Sequence, residues 1–175
     1  DQLLIAADLS NASVDKMIKA YKYKFIPDLS LPLSVIAKKS VKKLLNKKFN
    51  LFDDNPLLIP VPLHKKRLNW RGFNQAGLLA KSIADSYHIS YNSDVLTRIS
   101  SPKHQADIKT REERLNNVKN NFAVIDPEAV KGKTIILVDD ICTTGATLNE
   151  CARVLKNQPT GGGAKRVIGF VIARG

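Results

Sequence analysis

The stretch Ile135–Leu148, "IILVDDICTTGATL", constrains the fold more than any other part of the chain. Its four apolar residues run without alternation, the pattern of a strand buried on both faces, and such strands belong to parallel sheets covered by helices. Two acids follow at once, Asp139 and Asp140, and then a Thr/Gly-rich turn from Thr143 to Thr147 that opens a helix. Free backbone N–H groups, threonine hydroxyls and a flexible Gly145 beside Ala146 make a cup for a phosphate. The helix terminus adds about 0.3–2 kcal/mol for an anion. Two carboxylates next to that cup would repel the same anion, unless the ligand also brings hydroxyls or a divalent metal. A ribose 5-phosphate meets this condition: the turn holds the phosphate while Asp139 and Asp140 accept hydrogen bonds from the ring hydroxyls, each worth about 1.5–3 kcal/mol.

The rest of the chain supplies the other layers. "LSVIAKKSVKKLLNKK" spaces Leu33, Ala37, Val41 and Leu44 along one side of a helix, with lysines crowding the remainder. Leu57 to Val61 is a short apolar strand, followed by a basic turn and a helix with Ala76, Leu79, Ile83 and Tyr87 at helical spacing. "SDVLTRI" and "FAVI" read as further strands, and the polar stretch between them as a loop carrying a short helix. A helix from Leu148 to Lys156, with Leu148, Cys151, Ala152 and Leu155 inward, precedes a closing strand, "KRVIGFVIA". Alternating strands and helices predict an α/β fold: a central, mainly parallel sheet flanked by helices. A flexible loop and a small N-terminal helical appendage complete it. The domain division expected is 1–50 for the N-terminal helical segment and 51–175 for the main domain.

With 43% hydrophobic and 25% charged residues the composition is that of a globular domain. No apolar run reaches the length of about 18 residues that spans a bilayer. "DQLLIAADLS" has neither a basic region nor a cleavage site, so no signal peptide is read there. The sequence starts without Met, and a fragment or processed form is expected. Two cysteines, Cys142 and Cys151, make neither a disulfide framework nor a metal-site spacing, which points to a cytoplasmic protein. The net charge of +12 attracts polyanions such as phosphorylated ligands or nucleic acid. On the lysine-rich helix no aromatic residues interleave to stack on bases, so a solvated face competes with a nucleic-acid stripe.

Two other readings of the opening stretch compete. An ATPase Walker B strand requires a phosphate loop; "GKT" at Gly132–Thr134 has Pro127 where the first Gly belongs, and it leads into a strand. A buried strand whose acids cap the following turn is the plain structural alternative.

The run from Ile135 to Thr147 resembles the thirteen-residue signature of type I phosphoribosyltransferases, which bind phosphoribosyl pyrophosphate (PRPP). "PVPLHKKRLNWRGFNQAGLLA", Pro60 to Ala80, resembles the hallmark of the competence protein F (ComF) family, phosphoribosyltransferase-like proteins linked to bacterial DNA uptake. "KAYKYKF", Lys19 to Phe25, is similar to a short segment of that family, and "HQADIKTREERLNNVKNNF" to its flexible loop, with Gln105, Arg114, Asn117 and Phe122 in the matching places. Many relatives also carry an N-terminal cysteine-rich zinc module. This sequence has no CxxC pair, so that module is either lost or not part of it.

The resemblance implies a type I phosphoribosyltransferase fold and a displacement at the anomeric carbon of PRPP, with diphosphate leaving. Asp139 and Asp140 would be the catalytic pair that holds the ribose, and Thr143, Thr144, Gly145, Ala146 and Thr147 would hold the 5-phosphate. The basic loop, with His64, Lys65, Arg67 and Arg71, would grip the diphosphate, where Arg is the better fork. Gly72 permits a tight turn; Asn74 and Gln75 meet phosphate oxygens or fix the loop; Trp70 packs or stacks on a base. Lys103, Gln105, Arg114 and Asn117 belong to the loop expected to close as a lid. Mg²⁺ would arrive with PRPP and not on direct protein ligands. The acceptor is unknown. Single-stranded DNA, a competence helicase and a second copy in a homodimer are expected partners; a membrane is not. Three function classes follow: a transferase, a PRPP-binding protein without turnover, and a basic accessory factor handling single-stranded DNA.

Overall fold

A computed structural model describes residues 2–24, 26–46, 56–99, 118–157 and 162–175. Seven strands and five α-helices follow one another among these residues: β1 (Gln2–Asp8), α1 (Ala12–Tyr23), α2 (Ser30–Asn46), β2 (Leu57–Pro60), α3 (Lys65–Arg71), α4 (Gln75–Tyr87), β3 (Ser90–Tyr91), β4 (Leu96–Arg98), β5 (Phe122–Val124), β6 (Thr134–Cys142), α5 (Ala146–Lys156) and β7 (Arg166–Arg174). Five strands form one sheet in the order β1-β7-β6-β2-β3. Every neighbouring pair in it is parallel. β4 and β5 pair antiparallel as a separate two-stranded sheet.

The unalternating run read from the sequence is the central strand. Thr134 through Val138 are buried, because β7 and β2 flank β6 and helices cover both faces. One apolar cluster gathers Ile135 and Leu137 with Leu148, Cys151 and Leu155 of α5 and Phe122 of β5. The other gathers Ile136 and Val138 with Ile18 of α1, Leu33 and Ala37 of α2, and Leu79 and Ile83 of α4. Burying each large apolar side chain contributes about 1.5–3 kcal/mol, so both helical layers are fastened to the sheet by the stripes that the spacing predicted. Among the described residues no helix is long and apolar enough to cross a membrane.

Three features depart from the sequence reading. Gln2–Asp8, to which no strand was assigned, is an edge strand paired with β7. Its apolar residues point both ways: Leu4 and Ala6 pack on the core, whereas Leu3 and Ile5 stay 36% and 41% exposed. That two-sided pattern erased the alternation that marks an edge strand. The first 50 residues therefore supply a strand of the main sheet as well as helices. The strands "SDVLTRI" and "FAVI" form, but as a hairpin-like pair apart from the parallel sheet. The basic turn after β2 is a helix, α3, capped at its start by His64 and closed by Gly72 at φ 81°.

Candidate active site

The carboxyl end of β6 is where the acids emerge. Asp139 Oδ1 accepts the backbone N–H of Asp140 at 2.8 Å. Asp140 is buried, and its Oδ1 meets Lys22 Nζ of α1 at 2.8 Å, with the two side chains 7% and 25% exposed. Asp139 keeps some accessible surface as a residue, yet its carboxyl is enclosed by protein. That enclosure raises its pKa to about 8; the adjacent charge of Asp140 pushes the same way, and Lys22 opposes them. The neighbours thus have different surroundings: Lys22 stands against Asp140, and enclosure disfavours the charged form of Asp139.

The turn beyond them is shaped from within. Gly145 adopts φ 78°, a left-handed conformation that L side chains resist, and starts α5 without a side-chain cap. Thr144 Oγ1 accepts the N–H of Ala146 at 3.3 Å, and the N–H of Gly145 is turned toward the sulfur of Cys142. With those two N–H groups engaged locally, the threonines Thr143, Thr144 and Thr147 supply the remaining hydroxyls of the turn. Thr143 is exposed and the other two are half-buried.

Of the basic segment, the structure brings part to the acids. Arg67 and Arg71, one helical turn apart on α3, are half-buried, and Arg71 lies close enough to feel the charges of Asp140 and Arg67. Burial lowers its pKa, yet an arginine stays protonated. Lys65, in the first turn of this short helix, is exposed. His64 acts structurally, with its Nδ1 accepting the N–H of Lys66 at 3.2 Å. Trp70 is 68% exposed. Asn74 fixes the loop, donating from Nδ2 to Val61 O at 3.0 Å and accepting from Ala76 N at 3.1 Å. Gln75, 2% exposed, is bonded to Tyr21 and does not point outward. Lys103, Gln105, Arg114 and Asn117 lie outside the described residues.

Two cations escaped the sequence reading. Lys22 was noted only as part of a short family-like segment. Arg98 ends the small strand β4, where nothing local marked it. Its guanidinium stacks over Phe122 at 5.1 Å, its Nε has no hydrogen bond among the described residues, and it lies near Arg67 and Asp139. Burial, and then the charge of Arg67, lowers its pKa. A lone basic residue at a strand end, followed by a long polar loop, is the only sequence signal that could have flagged it.

The two thiols are poor nucleophile candidates. Burial raises both the Cys142 and the Cys151 pKa, so the reactive thiolate is suppressed. A cavity of about 160 Å³ lies under the turn between α5 and the β1–β7 edge. It is lined mainly by Leu3, Leu137, Leu148 and Val167, touches neither Asp139 nor Asp140, and has no anion-binding chemistry. Among the described residues no three His, Cys, Asp or Glu side chains gather as a metal cage.

The sequence matches the family described as "Phosphoribosyl transferase domain" over residues 71–173. It is 38% identical over 125 residues to competence protein ComFC of Bacillus subtilis (strain 168), covering 70% of this chain and 46% of that protein. It is 37% identical over 98 residues to DNA utilization protein YhgH of Escherichia coli O157:H7, covering 56% and 42%. It is 33% identical over 100 residues to competence protein F of Haemophilus influenzae, covering 57% and 43%. The matched stretch thus spans less than half the length of each of these relatives. The chain belongs to the phosphoribosyl transferase domain family, as a ComF-family member with that family's α/β fold.

Proposed function

We propose that this chain binds PRPP at the carboxyl end of β6. The observation that carries the reading is convergence: one strand end presents the acid pair, one turn away stands the Thr143–Thr147 bend, and Arg71 of α3, with Arg67 beside it, lies close enough to feel the charge of Asp140. Hydroxyls, a monophosphate and a diphosphate on one small molecule would meet these three groups in turn. Asp140, paired with Lys22, accepts from a ribose hydroxyl. Asp139 is able to donate while protonated and to accept once ionised. The threonines hold the 5-phosphate, and the arginines take the diphosphate as forks. The diphosphate's Mg²⁺ is part of the ligand in this reading.

Transfer would proceed by attack of an acceptor at the anomeric carbon as the carbon–oxygen bond to diphosphate breaks. Its oxocarbenium-like transition state asks the protein for positioning and charge stabilisation more than for covalent machinery. Among the described residues no activated nucleophile or dedicated base stands beside the acids, so binding is the primary claim and turnover the secondary one. The relatives' names, together with the charge of +12, support a setting in DNA uptake or DNA utilization. A DNA-binding role predicts affinity that falls steeply with salt.

Calorimetric titration of PRPP with Mg²⁺ tests the reading. The wild type should give a saturable response, and the double variant Asp139→Ala/Asp140→Ala should give none. An unchanged response in the variant removes ribose recognition from the account.

A further inference from the structure

The two edges of the parallel sheet differ. At one edge β3 is two residues long. At the other, β1 runs for seven residues, and among the described residues its one sheet neighbour is β7. Its outer row of backbone N–H and C=O groups therefore faces away from the sheet. Edge strands are commonly protected by Lys, Pro, a bulge or shortness. β1 uses none of these. It keeps one register with β7 from Gln2↔Ile168 to Asp8↔Arg174, so it has no bulge. It carries no Lys, Arg or Pro, in a chain that holds 28 Lys and Arg. Ile5 stands at its centre 41% exposed, with Leu3 beside it at 36%.

The strand is also complementary to itself. Laid antiparallel on a second copy with Ile5 on the two-fold axis, Gln2 faces Asp8, Leu3 faces Ala7, Leu4 faces Ala6, and Ile5 faces Ile5. Each leucine meets an alanine, and polar residues meet only at the two ends. The ends match in charge as well. Gln2 Oε1 accepts from the Arg166 guanidinium at 2.8 Å, which leaves the Gln2 amide N–H groups as donors beside a positive charge. Asp8 Oδ1 accepts the N–H of Ser10 at 2.9 Å, and its carboxylate makes no ion pair among the described residues. Antiparallel pairing brings that carboxylate to the Gln2–Arg166 pair of the other copy, and the two-fold axis repeats the match. With a net charge of +12, two copies repel one another over most orientations, and here opposite charges meet twice.

We propose that β1 is a self-association edge, through which two copies join antiparallel about Ile5 into one continuous sheet. Main-chain hydrogen bonds supply the affinity, and the cross-strand pairs fix the register. The interface is isologous, so it closes at two copies. This pairing does not depend on PRPP binding.

Sedimentation equilibrium of the wild type and of Ile5→Lys tests it. One chain weighs 19.4 kDa. The wild type should approach twice that mass as concentration rises. Ile5→Lys should keep the single-chain mass, because like charges directly opposite each other repel. Oxidative cross-linking supplies a second measurement. Directly opposed residues of antiparallel strands lie within disulfide reach, and the native Cys142 and Cys151 are buried. Ile5→Cys should therefore link to itself. Leu3→Cys should not, but should link when mixed with Ala7→Cys. A wild type that stays at the single-chain mass up to about 1 mM, where only negligible affinity remains, overturns the proposal. So does a doubled mass that survives Ile5→Lys. If Ile5→Lys fails to fold, the cross-links decide: Leu3→Cys linking to itself as readily as Ile5→Cys contradicts the pairing.

Discussion

The two halves of the candidate site are built in opposite ways. The Thr143–Thr147 bend is a contiguous piece of backbone: Gly145 supplies the left-handed residue, Thr144 ties down Ala146, and α5 follows directly. The acid corner is assembled from side chains of separate elements, with Lys22 from α1, Arg71 from α3, Arg98 from β4 and the two carboxylates from β6. A local turn keeps its shape as long as its own residues allow it. An assembled corner depends on every element that delivers a charge to it. Damage to the bend should therefore stay local, while damage to the corner should spread through electrostatics.

The largest effect expected from breaking this contrast concerns the diphosphate end. Arg71→Ala should weaken PRPP binding by about 10–100-fold, the range that losing a charge-assisted hydrogen bond of about 1.5–3 kcal/mol gives. It should leave ribose 5-phosphate affinity close to that of the wild type. Equal losses for both ligands in parallel calorimetry would mean that Arg71 serves the whole corner and not the diphosphate alone.

A smaller effect is expected in the bend. Gly145→Ala places a side chain where φ is 78°, at a cost of about 1–2 kcal/mol. Space is not the obstacle, since the nearest atom to an added Cβ is Asn149 Nδ2 at 3.7 Å. The melting temperature should fall by about 2–4 °C for each kcal/mol in a domain of this size.

A third effect is opposite in sign. Asp139 has its pKa raised to about 8 in the folded chain, against an ordinary carboxylate value of 3.8. Between those values the folded state holds a proton that the unfolded state has lost. Its contribution to stability is thus fully present below the lower value and is lost as pH rises toward 8. Asp139→Asn removes that loss. The variant should melt above the wild type at pH 8, and the gap should close toward pH 4. A gap independent of pH would show that the enclosed carboxyl is not the source.

How much was legible beforehand follows the same division. The buried strand, the bend and the helix after it occupy consecutive residues, so periodicity and turn chemistry exposed them directly. The stripes of α2 and α4 were equally readable, because Leu33, Ala37, Leu79 and Ile83 recur at helical spacing and all face the sheet. The arginines of α3 were found as charges, but the helix that turns Arg67 and Arg71 inward and leaves Lys65 outside was not. Lys22 and Arg98 were illegible for a physical reason: their partners are distant in sequence, and no local pattern records a tertiary ion pair. β1 was hidden because Leu3 and Ile5 present apolar side chains to the side opposite Leu4 and Ala6.

The central claim is that one small molecule spans the acids and the bend. Titration of ribose 5-phosphate, which carries no diphosphate, tests it without help from Arg67 and Arg71. The wild type should bind it saturably, and Asp139→Asn/Asp140→Asn, nearly identical in shape, should weaken binding by about 10–100-fold, the loss of a hydrogen bond to a charged group. If inorganic phosphate competes as well as the sugar phosphate does, or if the two proteins bind ribose 5-phosphate equally, the sugar contributes nothing and the account is contradicted.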